Sequence, residues 1–203
     1  MQILSSVNQP DKILNKFTQH WLDHLESQLP KKYCYHRSEH TLMVMAAVKI
    51  MAVYMGFSKR AVRLMQVAAL FHDMGYLHDH HGHEIKSAEY ISQIAQELQL
   101  SSADVLAMSQ MILHTHPSKR PTNLMQAILK DADLSYLGQP DAEKWSDLLR
   151  KEYVNLGKIS SEGEFRDLEV SFLNQHRFNT QYAQIHFGPS KRLYMKKKEL
   201  ILA

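Results

Sequence analysis

The 203-residue chain has one cysteine, Cys34, so no internal disulfide can form and a reducing, cytoplasmic setting is expected. Glycine and proline number only seven and six and fall at segment ends, which favours a largely helical chain over a turn-rich β architecture. No apolar run approaches the ~20 residues of a membrane span. The opening MQILSSVNQPDK has neither the basic flank nor the apolar centre of a secretory signal, so no membrane partner is expected. Net charge is a modest +3. The positive excess near the C-terminus, in Lys191, Arg192, Lys196, Lys197 and Lys198, has no aromatic residues interleaved in stacking fashion. It reads as a solvated helix face, and a nucleic-acid partner is not expected. Apolar residues make up 44% of the chain, enough for a sizeable core.

Apolar spacing and caps divide the chain into helices. Asp11 can cap a first helix to about Leu29, built on Ile13, Leu14, Phe17, Trp21, Leu22 and Leu25. Ser38 can cap a second helix that runs to Met55, and Ser58 a third from Lys59 to about His72. A polar loop, Gly75 to His83, precedes a fourth helix over 84–98. Ser101 and Asp104 open a fifth, ending near His114. After the loop 116–121, Thr122 opens a sixth through Ala132, and further helices follow at about 141–156, 161–176, 178–186 and 190–201. No strand pattern, internal repeat or low-complexity linker is present. The expectation is one all-α domain over 1–203, with a core at about 35–138 and the C-terminal helices packed on it.

Histidine stands out, with thirteen residues, nine of them between His36 and His116. Imidazole clustering of this kind suits a transition-metal site. His40 lies on the first turn of the second helix. His72-Asp73 follows Val67-Ala68-Ala69-Leu70-Phe71, where burial makes two ionisable groups costly unless something satisfies them. A second pair, His78-Asp79, sits in a polar glycine-flanked loop where solvation suffices. Asp131 and Asp133 in the sixth helix point about 200° apart, so only one can face the others. Two imidazoles and two carboxylates form a mixed N/O set for a divalent ion such as Fe, Mn, Ni, Zn or Mg, with positions left over for water and substrate. Cys34 reads as a small buried apolar group.

Tyr35-His36-x-x-x-His40-Thr41, Leu70-Phe71-His72-Asp73-Met74-Gly75 and Asp131-Ala132-Asp133-Leu134-Ser135-Tyr136-Leu137-Gly138, in that order, resemble the motifs of the HD-domain metal-dependent phosphohydrolase superfamily. The resemblance implies a helical bundle in which His40, His72, Asp73 and Asp133 bind the metal. Asp131 would then orient a neighbouring ligand or face solvent. The resemblance also implies His36 as the acid for a leaving oxygen. His83 and Glu84, with His114 and His116, resemble the extra residues that hold a second ion in dinuclear branches, or else contact water or phosphate. His78, His80 and His81 read as bystanders.

Catalytic roles therefore fall to His36, Asp73 and Glu84, and substrate phosphate to Lys119 and Arg120. Tyr76 and Tyr136 either pack in the bundle or stack a base. The implied reaction is hydrolysis of a phosphate ester or anhydride of a nucleotide or small metabolite by a metal-activated water, with a homodimer allowed for. The rival readings are a catalytically silent HD module sensing a nucleotide or metal, and a di-iron oxygenase.

Overall fold

The computed structural model describes residues 10–200, with side chains from Asn15 to Lys198. It contains ten α-helices: α1 (Pro10–Gln28), α2 (Ser38–Tyr54), α3 (Lys59–Phe71), α4 (His83–Ile94), α5 (Ser102–Leu113), α6 (Leu124–Asp133), α7 (Ala142–Asn155), α8 (Glu162–Gln175), α9 (Gln181–His186) and α10 (Gly188–Leu200). Single 3-10 turns occupy Met74–Leu77 and Ser135–Gly138, and no strand occurs among the described residues. The opening nine residues, the side chains of Asp11, Ile13 and Leu14, and the end of the last expected helix at residue 201 lie outside the described residues.

Side-chain caps open half of the ten helices. Ser58 accepts from the amide of Ala61, and Ser101 and Asp104 form a reciprocal capping box on α5. Two expected caps are displaced. Ser38 is the first helical residue of α2 rather than its cap, and its hydroxyl donates to Glu26 Oε2 at 2.9 Å. Asn123, not Thr122, caps α6 by accepting from the amide of Gln126. The fourth helix ends at Ile94, short of Leu98. The segment expected at 178–186 is helical only from Gln181, because Thr180 takes the cap position and accepts from Ala183 N.

α2 packs along α3 and α6, α3 also along α5, and α4 against α5. Val44, Val48 and Met51 of α2 are fully buried with Met65, Ala68 and Phe71 of α3. α1 is fastened by aromatic contacts, Trp21 meeting Phe71 edge-on with ring centroids 4.8 Å apart and Phe17 meeting Phe71 at 6.1 Å. No helix among the described residues is long and apolar enough to cross a membrane.

The end of α3 is the deepest part of the chain. Every residue from Val67 to Tyr76 is buried, so the loop expected to start at Gly75 begins inside the core as a 3-10 turn. Gly75 permits this. Its amide donates to Ser87 Oγ at 2.8 Å, and a Cβ there would collide with the backbone carbonyl of His83. Gly75→Ala must push α4 away from α3, and the expected cost is about 2–4 kcal/mol, the scale of overpacking against a backbone that cannot yield. Thermal melts would measure it; an unchanged midpoint would mean that α4 is free to shift.

The basic C-terminal face is only partly solvated. Lys191 is buried, Lys197 pairs with Glu143, and Lys198 reaches Glu169 at 3.3 Å.

Candidate metal centre

Four side chains from three helices meet at the end of α3. His40 enters from the first turn of α2, His72 and Asp73 from the end of α3, and Asp133 from the last residue of α6. His40 Nε2 lies 3.1 Å from Asp133 Oδ1, 3.4 Å from Asp73 Oδ2 and 3.3 Å from His72 Nε2. His72 Nε2 lies 3.1 Å from Asp73 Oδ2 and 3.4 Å from Asp133 Oδ1. Both imidazoles are fully buried, Asp73 nearly so, and the Asp133 side chain is 24% exposed. The cluster is closed on the protein side and reaches solvent past Asp133.

These spacings fit a cation. Donor atoms about 2.1 Å from one ion stand about 3.0 Å apart at right angles and about 3.4 Å apart at tetrahedral angles. The hydrogen-bond chemistry points the same way. His72 Nδ1 donates to the carbonyl of Ala69 at 2.7 Å, which leaves the Nε2 lone pair facing His40 Nε2. Asp73 Oδ2 is buried without a hydrogen-bond partner although two imidazole nitrogens are near it. An orphaned carboxylate oxygen between two ring nitrogens is what a site built for an ion presents before the ion is counted. The ligand atoms of His40, His72 and Asp133 all lie within 4.8 Å of one another.

The four groups shift one another's titration. Burial opposes charge on both imidazoles, yet Asp133 and Asp73 raise the pKa of His40, and the charge of Asp73 with the Asp133 contact raises that of His72. Burial likewise opposes the carboxylates, but His72 with His36 holds Asp73, and His40 with His72 holds Asp133, well below the usual range.

The expected outer residues divide. His36 sits at the rim, its side chain 15% exposed, and its Nδ1 is 2.5 Å from Glu152 Oε1. Glu152 is almost fully buried in α7, and its Oε2 accepts the amides of Tyr35 at 2.9 Å and His36 at 3.3 Å. Burial pushes its carboxyl up, but His36 and these amides bring it below the ordinary value. Sequence reasoning missed Glu152. Its signal was a glutamate in register with Ala142, Trp145 and Leu149 on the inward face of α7.

His83 Nε2 stands 3.7 Å from Asp73 Oδ1, and its Nδ1 lies 3.2 Å from the carbonyl of His80. Glu84 is buried, 3.6 Å from His83 Nδ1. His114 and His116 do not join His83 in a second group of three ligands among the described residues. His114 Nδ1 bonds the carbonyl of Gln110, and the exposed His116 accepts from Ser118. Lys119 and Arg120 are exposed. Their loop is pinned by Lys130, whose ammonium donates to the carbonyls of His114, Thr115, His116 and Lys119. Tyr76 stacks on imidazoles, with His36 at 4.0 Å and His83 at 4.2 Å, while Tyr136 packs against Tyr35. His78 and Asp79 are exposed, as a solvated turn should be.

Asp131 neither faces solvent nor supports a ligand. It is fully buried and accepts from Asn179 N at 2.9 Å, Asn179 Nδ2 at 2.7 Å, Thr180 N at 2.7 Å and Thr180 Oγ1 at 2.8 Å. The unsatisfied amides before α9 explain it, since a buried carboxylate is a strong acceptor for them.

Residues 37–135 match the HD domain family. Two solved structures share the fold. One is described as a predicted HD superfamily hydrolase from an uncultured Thermotogales bacterium, 19% identical, covering 92% of this chain and 90% of its own, with a TM-score of 0.60. The other, from Lactobacillus plantarum, is 13% identical and covers 92% of this chain and 95% of its own, with a TM-score of 0.67. No curated protein matches the sequence. The matched segment, just under half of the chain, contains His40, His72, Asp73 and Asp133, the residues that the fold brings to one point, and it is this segment that is similar to the HD domain.

Proposed function

We propose that this protein is a metal-dependent phosphohydrolase acting on a phosphate ester or anhydride of a nucleotide or small metabolite. The observation that carries the proposal is the convergence of His40 Nε2, His72 Nε2, Asp73 Oδ2 and Asp133 Oδ1 at ligand-to-ligand spacings, with one side open. A divalent ion held there supplies acidification of a water molecule and neutralisation of phosphoryl charge.

The chain's own residues do the rest. His72, fixed by Ala69, and His40 present unprotonated nitrogens once their protons are displaced. Asp73 bridges inward and outward, Oδ2 toward the imidazoles and Oδ1 toward His83, so that His83 and Glu84 widen the site toward a second ion or a substrate oxygen. His36 is the proton donor to the leaving oxygen, with Glu152 setting its orientation and compensating its charge. Lys119 and Arg120 stand on the pinned loop as contacts for substrate phosphate. A cytoplasmic setting accords with the lone Cys34.

The test is phosphate release from nucleoside mono-, di- and triphosphates, cyclic nucleotides and sugar phosphates by tag-free, metal-loaded protein, beside Asp73→Ala. Activity in the wild type that disappears in the variant is expected. Silence across the panel with a full complement of metal would sink the hydrolase proposal in favour of a sensor.

The role of Glu152 has its own measurement. Glu152→Gln should lower kcat by roughly 10–100-fold, within the range for disturbed proton transfer, with KM and metal content little changed. A p-nitrophenyl ester, whose leaving group needs no proton, should be slowed much less. An equal loss on both substrates would mean that Glu152 only holds the backbone.

A further inference from the structure

Away from the metal centre, α8, α9 and α10 border a cavity of about 640 Å³. That size lies within the roughly 300–1,000 Å³ of small-molecule sites. Its lining carries one sign of charge: Arg177, Lys191 and Arg192 face it beside the imidazole of His176, and no carboxylate does.

Two of these cations have a structural task. Lys191, itself buried, donates through Nζ to the carbonyls of Leu173 at 2.9 Å and His176 at 2.7 Å. Arg177 Nη1 donates to the carbonyls of Asn174 at 2.6 Å and His176 at 2.8 Å. Both close the C-terminal end of α8. That task uses two of the three ammonium protons and one nitrogen of the guanidinium, and the remaining donors stay available.

Helix capping does not account for the other two. Arg192 makes no hydrogen bond or ion pair among the described residues. Its Nη1 lies over Gly188, 3.3 Å from where a Cβ would stand, so the glycine makes room for the guanidinium against the first turn of α10. His176 Nδ1 is buried with no hydrogen-bond partner, and its ring lies against Phe172 and Phe178. Arg177 and Lys191 crowd the imidazole and one another. Burial with Lys191 and Arg177 drives His176 down to about 3, and burial with Arg177 brings Lys191 to about 8. Uncompensated positive charge around a cavity of ligand size, with guanidinium forks at its edge, is the electrostatic form of a phosphate site.

We propose that this cavity binds a phosphate-bearing small molecule, its phosphate seated among Arg177, Lys191 and Arg192. The site uses helices outside the segment that carries the metal ligands, and the proposal stands whether or not the metal centre hydrolyses anything.

The experiment is isothermal titration calorimetry on the full chain, stripped of metal with a chelator that is then dialysed away. Inorganic phosphate and pyrophosphate are the probes, at constant ionic strength in chloride. Saturable one-to-one binding is expected, weakened at least about tenfold in Arg192→Gln, the scale on which removing one charge-assisted hydrogen bond acts. Arg192 is exposed and bonds nothing in the fold, so that variant should fold normally. His72→Ala should bind as the wild type does. Absence of saturation for both probes, indifference to Arg192→Gln, or failure of His72→Ala to bind would each overturn the proposal, the last by placing the anion at the metal centre.

Discussion

His72→Ala should leave the protein unable to retain a divalent ion, and His40→Ala, Asp73→Ala and Asp133→Ala should do the same. Each removes one of four donor atoms held 3.1–3.4 Å from its neighbours, and the remaining three hold the ion more weakly. Disturbing even a residue that merely supports a metal ligand costs about 10–100-fold in affinity, so removing a ligand should cost more than ~100-fold. Elemental analysis of tag-free protein after dialysis reads this directly. His80→Ala is the control and should retain its ion; equal loss in all five variants would show that the site is elsewhere.

Acid should mimic the substitutions. The raised pKa values of His40 and His72 mean that protons compete for the nitrogens up to a higher pH than on a free imidazole. Metal affinity should therefore rise with pH until both imidazoles are free, and fall as pH drops. Metal titrations at several pH values would check the slope, and a pH-independent affinity would contradict imidazole ligation.

Asp131→Ala should have the opposite profile: metal retained, stability reduced. The carboxylate satisfies four donors, the amides of Asn179 and Thr180, the Asn179 side-chain amide and the Thr180 hydroxyl, at a fully buried position. Alanine leaves them without acceptors beneath a helix of only six residues, Gln181–His186. At about 1–3 kcal/mol for each buried group left unsatisfied, and with water reaching some of them, a loss of about 3–5 kcal/mol is expected. For a chain of this size that lowers the melting temperature by roughly 10 °C, at about 2–4 °C per kcal/mol. Calorimetry on the metal-loaded protein would measure it. A variant that melts like the wild type but sheds its metal would reverse the roles assigned to Asp131 and Asp133.

The two aspartates show what could be read without coordinates. Their opposite facing follows from helix geometry, and the family resemblance, which places the ligand just before Leu134, selects Asp133. The destination of Asp131 could not be read, because its partners lie 48 and 49 positions away, beyond any helical period. Glu152 is the same case at greater range, meeting His36 across 116 positions. Helix limits were legible to within a residue or two where a cap decides them, as at Ser58 and Ser101. They were misplaced where a tertiary contact outbids the cap, as at Ser38, which Glu26 draws away.

The apolar run Val67 to Phe71 ahead of His72-Asp73 made the centre's position legible, and the fold extends that burial to Tyr76. Ten successive buried residues leave His72 and Asp73 only each other, a network or an ion for company. Helices, caps and that buried pair rest on interactions within about four residues, and so are written along the chain. The closing of the cage by His40 and Asp133, the carboxylate behind His36 and the cations gathered around the C-terminal cavity depend on which helices touch. A buried charge takes its partner from whatever the packing brings near, and only the folded chain supplies that.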